Sequence, residues 1–140
     1  MRLITYCLFL FPVLAMAQVV NLGDAINEEG TMVSIISDFD NHSSANFFND
    51  GEVLVLADWN NDGLVGYMNN FGTTYLSGEK LQQITGTEIS FFNNLVIDNN
   101  SSQPIELAGT ISIAGQCRFN NGIVDNMDNV GEVYFEEGAT

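Results

Sequence analysis

The residues whose types and spacing bear most directly on chemistry are Asp58, Asn60 and Asp62, in the run DWNNDG at 58–63. Oxygen donors at alternate positions followed by a glycine reproduce positions 1, 3, 5 and 6 of a calcium loop, because a hard cation collects carboxylate and amide oxygens from a tightly turned chain. Position 12, where a bidentate Glu belongs, is Asn69, and no flanking helical pattern is present. The competing reading of the same letters is turn chemistry, since Asn and Asp favour corners whatever they bind. The cognate DFDN at 38–41 lacks the following Asp-Gly, which favours the corner. No other cofactor is expected.

Other reactive side chains are few. Eighteen acids face only Arg2, Lys80 and Arg118, for a net charge of -15. Such a field repels a polyanion, so nucleic acid is excluded as a partner. His42, in DNHSSAN, reads as an exposed loop residue, and Cys117, in ISIAGQCRF, as a small buried hydrophobe. A polysaccharide lyase needs a basic proton abstractor, and Lys80 and Arg118 fall in separate repeats. Paired carboxylates always occur among so many acids, but no acidic pair recurs at one phase. Catalysis is therefore not expected. Trp59, Phe39 and Tyr75 are candidates for a sugar platform, with core stacking the favoured reading.

The N-terminus predicts an address. Residues 1–17, MRLITYCLFLFPVLAMA, combine Arg2, an apolar run too short for a comfortable span, and a cleavage site at Ala15 and Ala17. Removal of this signal peptide would leave a secreted or surface chain starting at Gln18, with no stable membrane insertion. It would leave Cys117 as the single thiol and hence no internal disulfide.

The elements that must position these residues emerge from internal repetition. FFND (47–50), YMNN (67–70), FFNN (91–94) and RFNN (118–121) share an aromatic or apolar residue followed by Asn, with AINEEG (25–30) a weaker copy. In this register Ile26, Phe48, Met68, Phe92 and Phe119 are separated by 22, 20, 24 and 27 residues. GTMVSIISDFDN (30–41) also aligns with GEVLVLADWNN (51–61), with one residue skipped. Between the Asn-rich stretches lie short strand patterns at 31–36, 52–57, 64–68, 94–97, 105–107, 111–113 and 132–135. The expected class is all-β. A right-handed parallel β-helix, or β-solenoid, of five or six coils over 30–140 is favoured over an antiparallel sandwich. In it Phe48, Met68, Phe92 and Phe119 would form a corner stack, each following Asn bonding to its equivalent one coil along. Residues 18–29 are expected to form an N-terminal cap.

The strings ADWNNDG, TTYLSGEKLQQITG, ISFFNNLVIDNN and IELAGTISIAGQCRFNNGIVDN, between Gly51 and Asn126, resemble the repetitive N-terminal portions of large exported surface proteins of Bacteroidetes and Flavobacteria. The resemblance extends over about residues 30–140 and implies an adhesin-like β-solenoid that commonly carries a C-terminal sorting module of the type IX secretion system. The chain stops at GEVYFEEGAT without such a module, so a truncated solenoid is expected. The expected function is non-enzymatic, structural or adhesive; the alternative is a carbohydrate-binding or carbohydrate-cleaving β-helix. Surface glycans, or self-association through an open solenoid end, are the expected partners.

Overall fold

A computed structural model describes residues 18–126 and 130–140, and the expected signal peptide, with Ala15 and Ala17, lies outside them. The chain winds as a β-solenoid in which each turn contributes one short strand to each of three parallel sheets. The first turn is β1 (Gln18–Asn21), β2 (Asp24–Asn27) and β3 (Met32–Ile35). The second is β4 (Asp38–Asn41), β5 (Asn46–Asn49) and β6 (Glu52–Val55), and the third β7 (Trp59–Asn61), β8 (Leu64–Gly66) and β9 (Thr73–Leu76). The fourth is β10 (Gln83–Thr85), β11 (Ser90–Phe92) and β12 (Asn94–Asp98). The fifth is β13 (Ile105–Leu107), β14 (Thr110–Ile113) and β15 (Cys117–Asn121), followed by β16 (Val124–Asp125) and β17 (Glu132–Phe135). The first sheet runs β1-β4-β7-β10-β13-β16, the second β2-β5-β8-β11-β14-β17 and the third β3-β6-β9-β12-β15. Residues 18–29 thus supply two strands of the first turn.

Strands of two to five residues suit this architecture because each face of the coil is short and the chain must bend before the next. Alternation then sends one set of side chains inward: Phe39, Phe47, Val53, Val55, Trp59, Val65, Leu76, Ile84, Leu95, Ile97, Leu107 and Ile111 are all buried. Phe39 and Trp59 are in register on neighbouring coils with ring centroids 4.4 Å apart, and Phe92 closes on Trp59 at 5.5 Å. The indole N–H of Trp59 donates to Ser90 Oγ at 3.0 Å, which satisfies a polar group that this apolar centre would otherwise strand. Trp59 and Phe39 are therefore core residues, unavailable as a sugar platform, because they point inward from their strands.

The alignment of 30–41 with 51–61 is the register of the structure: Val33 pairs with Val53, Ile35 with Val55, Phe39 with Trp59 and Asn41 with Asn61. The proposed corner stack of Phe48, Met68, Phe92 and Phe119 is not formed. Phe48 pairs with Ile26 and Gly66 and faces outward, Met68 lies exposed beyond β8, Phe92 points into the core, and Phe119 belongs to the third sheet. Coil lengths explain the slip. Successive partners are 18 residues apart at Asn46 and Leu64 but 25 at Val65 and Ser90, so insertions at the corners carry similar letters onto different faces.

Candidate functional site

Where a catalytic or binding constellation would be sought, the corners are occupied by hydrogen bonds between coils. At the corner between the first and second sheets, Asn21 Nδ2 donates to Asn41 Oδ1 at 2.9 Å, and Asn41 Nδ2 to Asn61 Oδ1 at 2.9 Å. Each amide also reaches a carbonyl in the next coil, on Asn46, Leu64 and Ile89 respectively. Between the second and third sheets, Asn27 donates to Asn49 at 2.8 Å and Asn49 to Thr74 Oγ1 at 3.3 Å. Asn49, which follows Phe48, thus bonds to its equivalent as expected. Asn69 does something else: its side chain and backbone N–H both donate to the buried carboxylate of Asp50. The third corner is spanned by Gln82, which accepts from Asn99 at 2.6 Å and donates to the Ala57 carbonyl at 2.7 Å.

DWNNDG belongs to this system. Asp58, Asn60 and Asp62 lie at alternate positions along β7 and its flanks, on the outward side, while Trp59 and Asn61 point in. An extended strand advances about 3.3 Å per residue, so the three side chains are set out in a row and are not wrapped around a centre as in a calcium loop. Their oxygens have partners on adjacent coils or along the strand: Asp58 Oδ1 accepts from the Gln83 N–H at 2.8 Å, Asn60 Oδ1 from the Thr85 hydroxyl at 2.9 Å, and Asp62 Oδ1 from the N–H and hydroxyl of Thr87, both at 3.0 Å. Gly63, read as the turn glycine of a cation loop, is required by packing instead, because a Cβ there would collide with the carbonyl oxygens of His42 and Ala45. Among the described residues no group of three or more His, Cys, Asp and Glu is assembled for a metal.

The electrostatics follow from placement. Burial pushes the Asp58 carboxyl above its ordinary value, with the charges of Asp38 and Glu106 adding to the effect and the Gln83 amide opposing it. The Asn60 side chain and the two Thr87 donors hold Asp62 below its ordinary value. Cys117 is half-buried in β15, and burial pushes its thiol above its ordinary value, the direction opposite to that of an activated thiol. His42 is exposed in the loop after β4, as expected.

Two surface features were not read from the sequence. On the second sheet, the outward row runs Ile26, Phe48, Gly66, Phe91, Ser112, Tyr134, one residue per coil. Beside it lies an open cleft of about 510 Å³ lined by Ser44, Asn46, Asp62, Leu64, Glu88 and Phe91. The signal that could have found the row was the offset of strand-like runs, not the aromatic-Asn strings. The second feature is a hollow of about 340 Å³ at the last turn, where Leu107, Ile113, Phe119, Val133 and Phe135 converge.

Comparison of the chain with protein-family models, with curated proteins and with solved structures finds no match. What the geometry defines is the class: an all-β parallel solenoid of about five turns whose corners are hydrogen-bonded from coil to coil.

Proposed function

We propose that this chain is an exported, non-catalytic β-solenoid that serves at the cell surface as a structural and adhesive element. The observation that supports this best is the asparagine ladder through Asn21, Asn41 and Asn61, with its counterpart at Asn27 and Asn49. Polar side chains that could have served chemistry are instead engaged in holding one coil to the next. Such a stack gives a stiff body with long, regular outer faces, which is what a display or adhesion role needs. The leader at 1–17 supports export, and the resemblance of 51–126 to surface proteins of Bacteroidetes and Flavobacteria supports a place among adhesin-like proteins routed by type IX secretion.

Expression of the full chain in a host of that group, followed by fractionation and N-terminal sequencing, tests the reading. Recovery outside the cytoplasm with Gln18 as first residue is expected. A cytoplasmic product with Met1 intact would overturn export, and release of soluble sugar from polysaccharide by the purified protein would overturn the non-catalytic part in favour of a carbohydrate-cleaving β-helix.

A further inference from the structure

The outward row of the second sheet has an order of its own. Phe48, Phe91 and Tyr134 stand on the second, fourth and sixth coils, and at this row position the coils between them carry Gly66 and Ser112, with Leu64 exposed at the neighbouring outward position of the third coil. Phe48 and Phe91 are half-buried, and Tyr134 is 51% exposed. Tyr134 is steadied by a 2.6 Å hydrogen bond from its hydroxyl to Glu132. Neighbouring strands are about 4.8 Å apart, so the rings recur about every 9.5 Å along the solenoid axis.

The backbone does not demand the small residue in this row. A Cβ on Gly66 would meet only the Phe48 ring at 3.9 Å, ordinary contact, whereas one on Gly63 would collide with the carbonyls beneath it. With Gly66 at this position the step between the Phe48 and Phe91 rings carries no side chain. Ser112 lies low, its hydroxyl donating to Glu136 at 2.9 Å. The face is a ribbon of aromatic patches at alternate coils. Glu88, exposed on the cleft that Phe91 also lines, adds acceptor groups at its border.

We infer that this face binds an extended, neutral β-1,4-linked polysaccharide lying along the solenoid axis, an inference that rests on the adhesive reading above and names its ligand. In a two-fold β-1,4 chain alternate sugars present the same apolar face, and the two-sugar repeat is close to the ring spacing. Every second sugar would then stack on Phe48, Phe91 or Tyr134 while sugar hydroxyls donate to Glu88. Carboxylates accept hydrogen bonds and cannot donate them, so they complement hydroxyls. The net charge of -15 disfavours uronate or sulfated chains, which leaves a neutral polymer as the matching partner.

The test is retention of the purified protein on microcrystalline cellulose and on chitin, with polyuronate and an α-1,4-linked glucan as controls. Retention on at least one of the neutral β-1,4 polymers, and on neither control, is expected. Phe91→Ala and Tyr134→Ser should each weaken retention about tenfold, in line with the loss of one stacked ring. Gly66→Leu, which keeps every ring but raises a side chain between two of them, should weaken it similarly. Trp59 fluorescence reports whether each variant is folded; Tyr134 and Gly66 lie on the surface row, so their variants keep the test available if Phe91→Ala unfolds. Failure of the folded protein to bind either neutral polymer would overturn the inference, as would retention unchanged in Tyr134→Ser and Gly66→Leu. Equally, row substitutions that altered only sedimentation would show that the face meets a second copy of the chain and not a glycan. Sugar release with binding intact would instead overturn the non-catalytic reading and leave the ribbon standing.

Discussion

Asn41 Nδ2 lies 2.9 Å from Asn61 Oδ1, on the next coil, and 3.1 Å from the Leu64 carbonyl, with Asn41 fully buried. The amide satisfies two acceptors that the corner would otherwise remove from water. Asn41→Ala should cost about 2 to 4 kcal/mol, because buried acceptors lose their donor and the lost volume is not refilled. Asn41→Asp, nearly the same shape, should also be destabilising at neutral pH, since an oxygen would then face two oxygens. Chemical denaturation of both variants checks this, and wild-type midpoints would refute the ladder's role.

Trp59 is the single tryptophan and is 1% exposed, so its emission should be blue-shifted in the folded protein and move to the red through one unfolding transition. Trp59→Ala should cost about 3 to 5 kcal/mol, by cavity formation among Phe39, Phe47 and Phe92. Trp59→Phe should cost less but still weaken the fold, because Ser90 loses the indole N–H. Equilibrium unfolding of the two variants gives the order directly.

Asp58 has a folded-state pKa above its ordinary value of 3.8, chiefly from burial and then from Asp38 and Glu106. The folded chain therefore takes up this proton more readily than the unfolded one. The ionised carboxylate weakens the fold at neutral pH, and that penalty disappears as pH falls through the folded value. Asn at this position can still accept the Gln83 N–H. Asp58→Asn should raise the melting temperature at pH 7, with the gain shrinking on acidification and vanishing below the unfolded value. Thermal melts across pH check the sign; a gain that persists at low pH would point to a cause other than charge.

Asp62 has the opposite sign. Its pKa is lowered by Asn60 and Thr87, so its contribution is present above the ordinary value of 3.8 and is lost as pH falls through the folded value. Asp62→Ala should remove part of the acid sensitivity of the fold at moderate salt. Following the acid limb of unfolding for both proteins decides it.

Calcium provides the last test. With Asp58, Asn60 and Asp62 in a row and engaged with Gln83, Thr85 and Thr87, millimolar calcium should raise the melting temperature no more than magnesium at equal ionic strength. A calcium-selective rise that Asp58→Ala and Asp62→Ala both abolish would restore the loop reading of DWNNDG.

The sequence by itself determined the class and much of the local structure. Alternation in IEL and EVYF set strands at 105–107 and 132–135 with the bounds the structure shows, because a half-buried strand carries its period in adjacent letters. The pairing of 30–41 with 51–61 was equally readable, since the two coils are nearly the same length and one skip restores the phase. DFDN, FFND and DWNNDG read as corners from their Asn and Asp letters, yet strands run through 38–41, 46–49 and 59–61, because the inward Phe or Trp and the terminal Asn place these residues on the coil wall. Only the tertiary structure decided which aromatic faces which way. Turn length between strands varies, and one added or removed residue moves a side chain to the opposite face. That is why Phe92 is core and Phe91 is surface, why Phe119 joins a different sheet, and why the row Phe48, Gly66, Phe91, Ser112, Tyr134 becomes visible only once five coils are stacked in register.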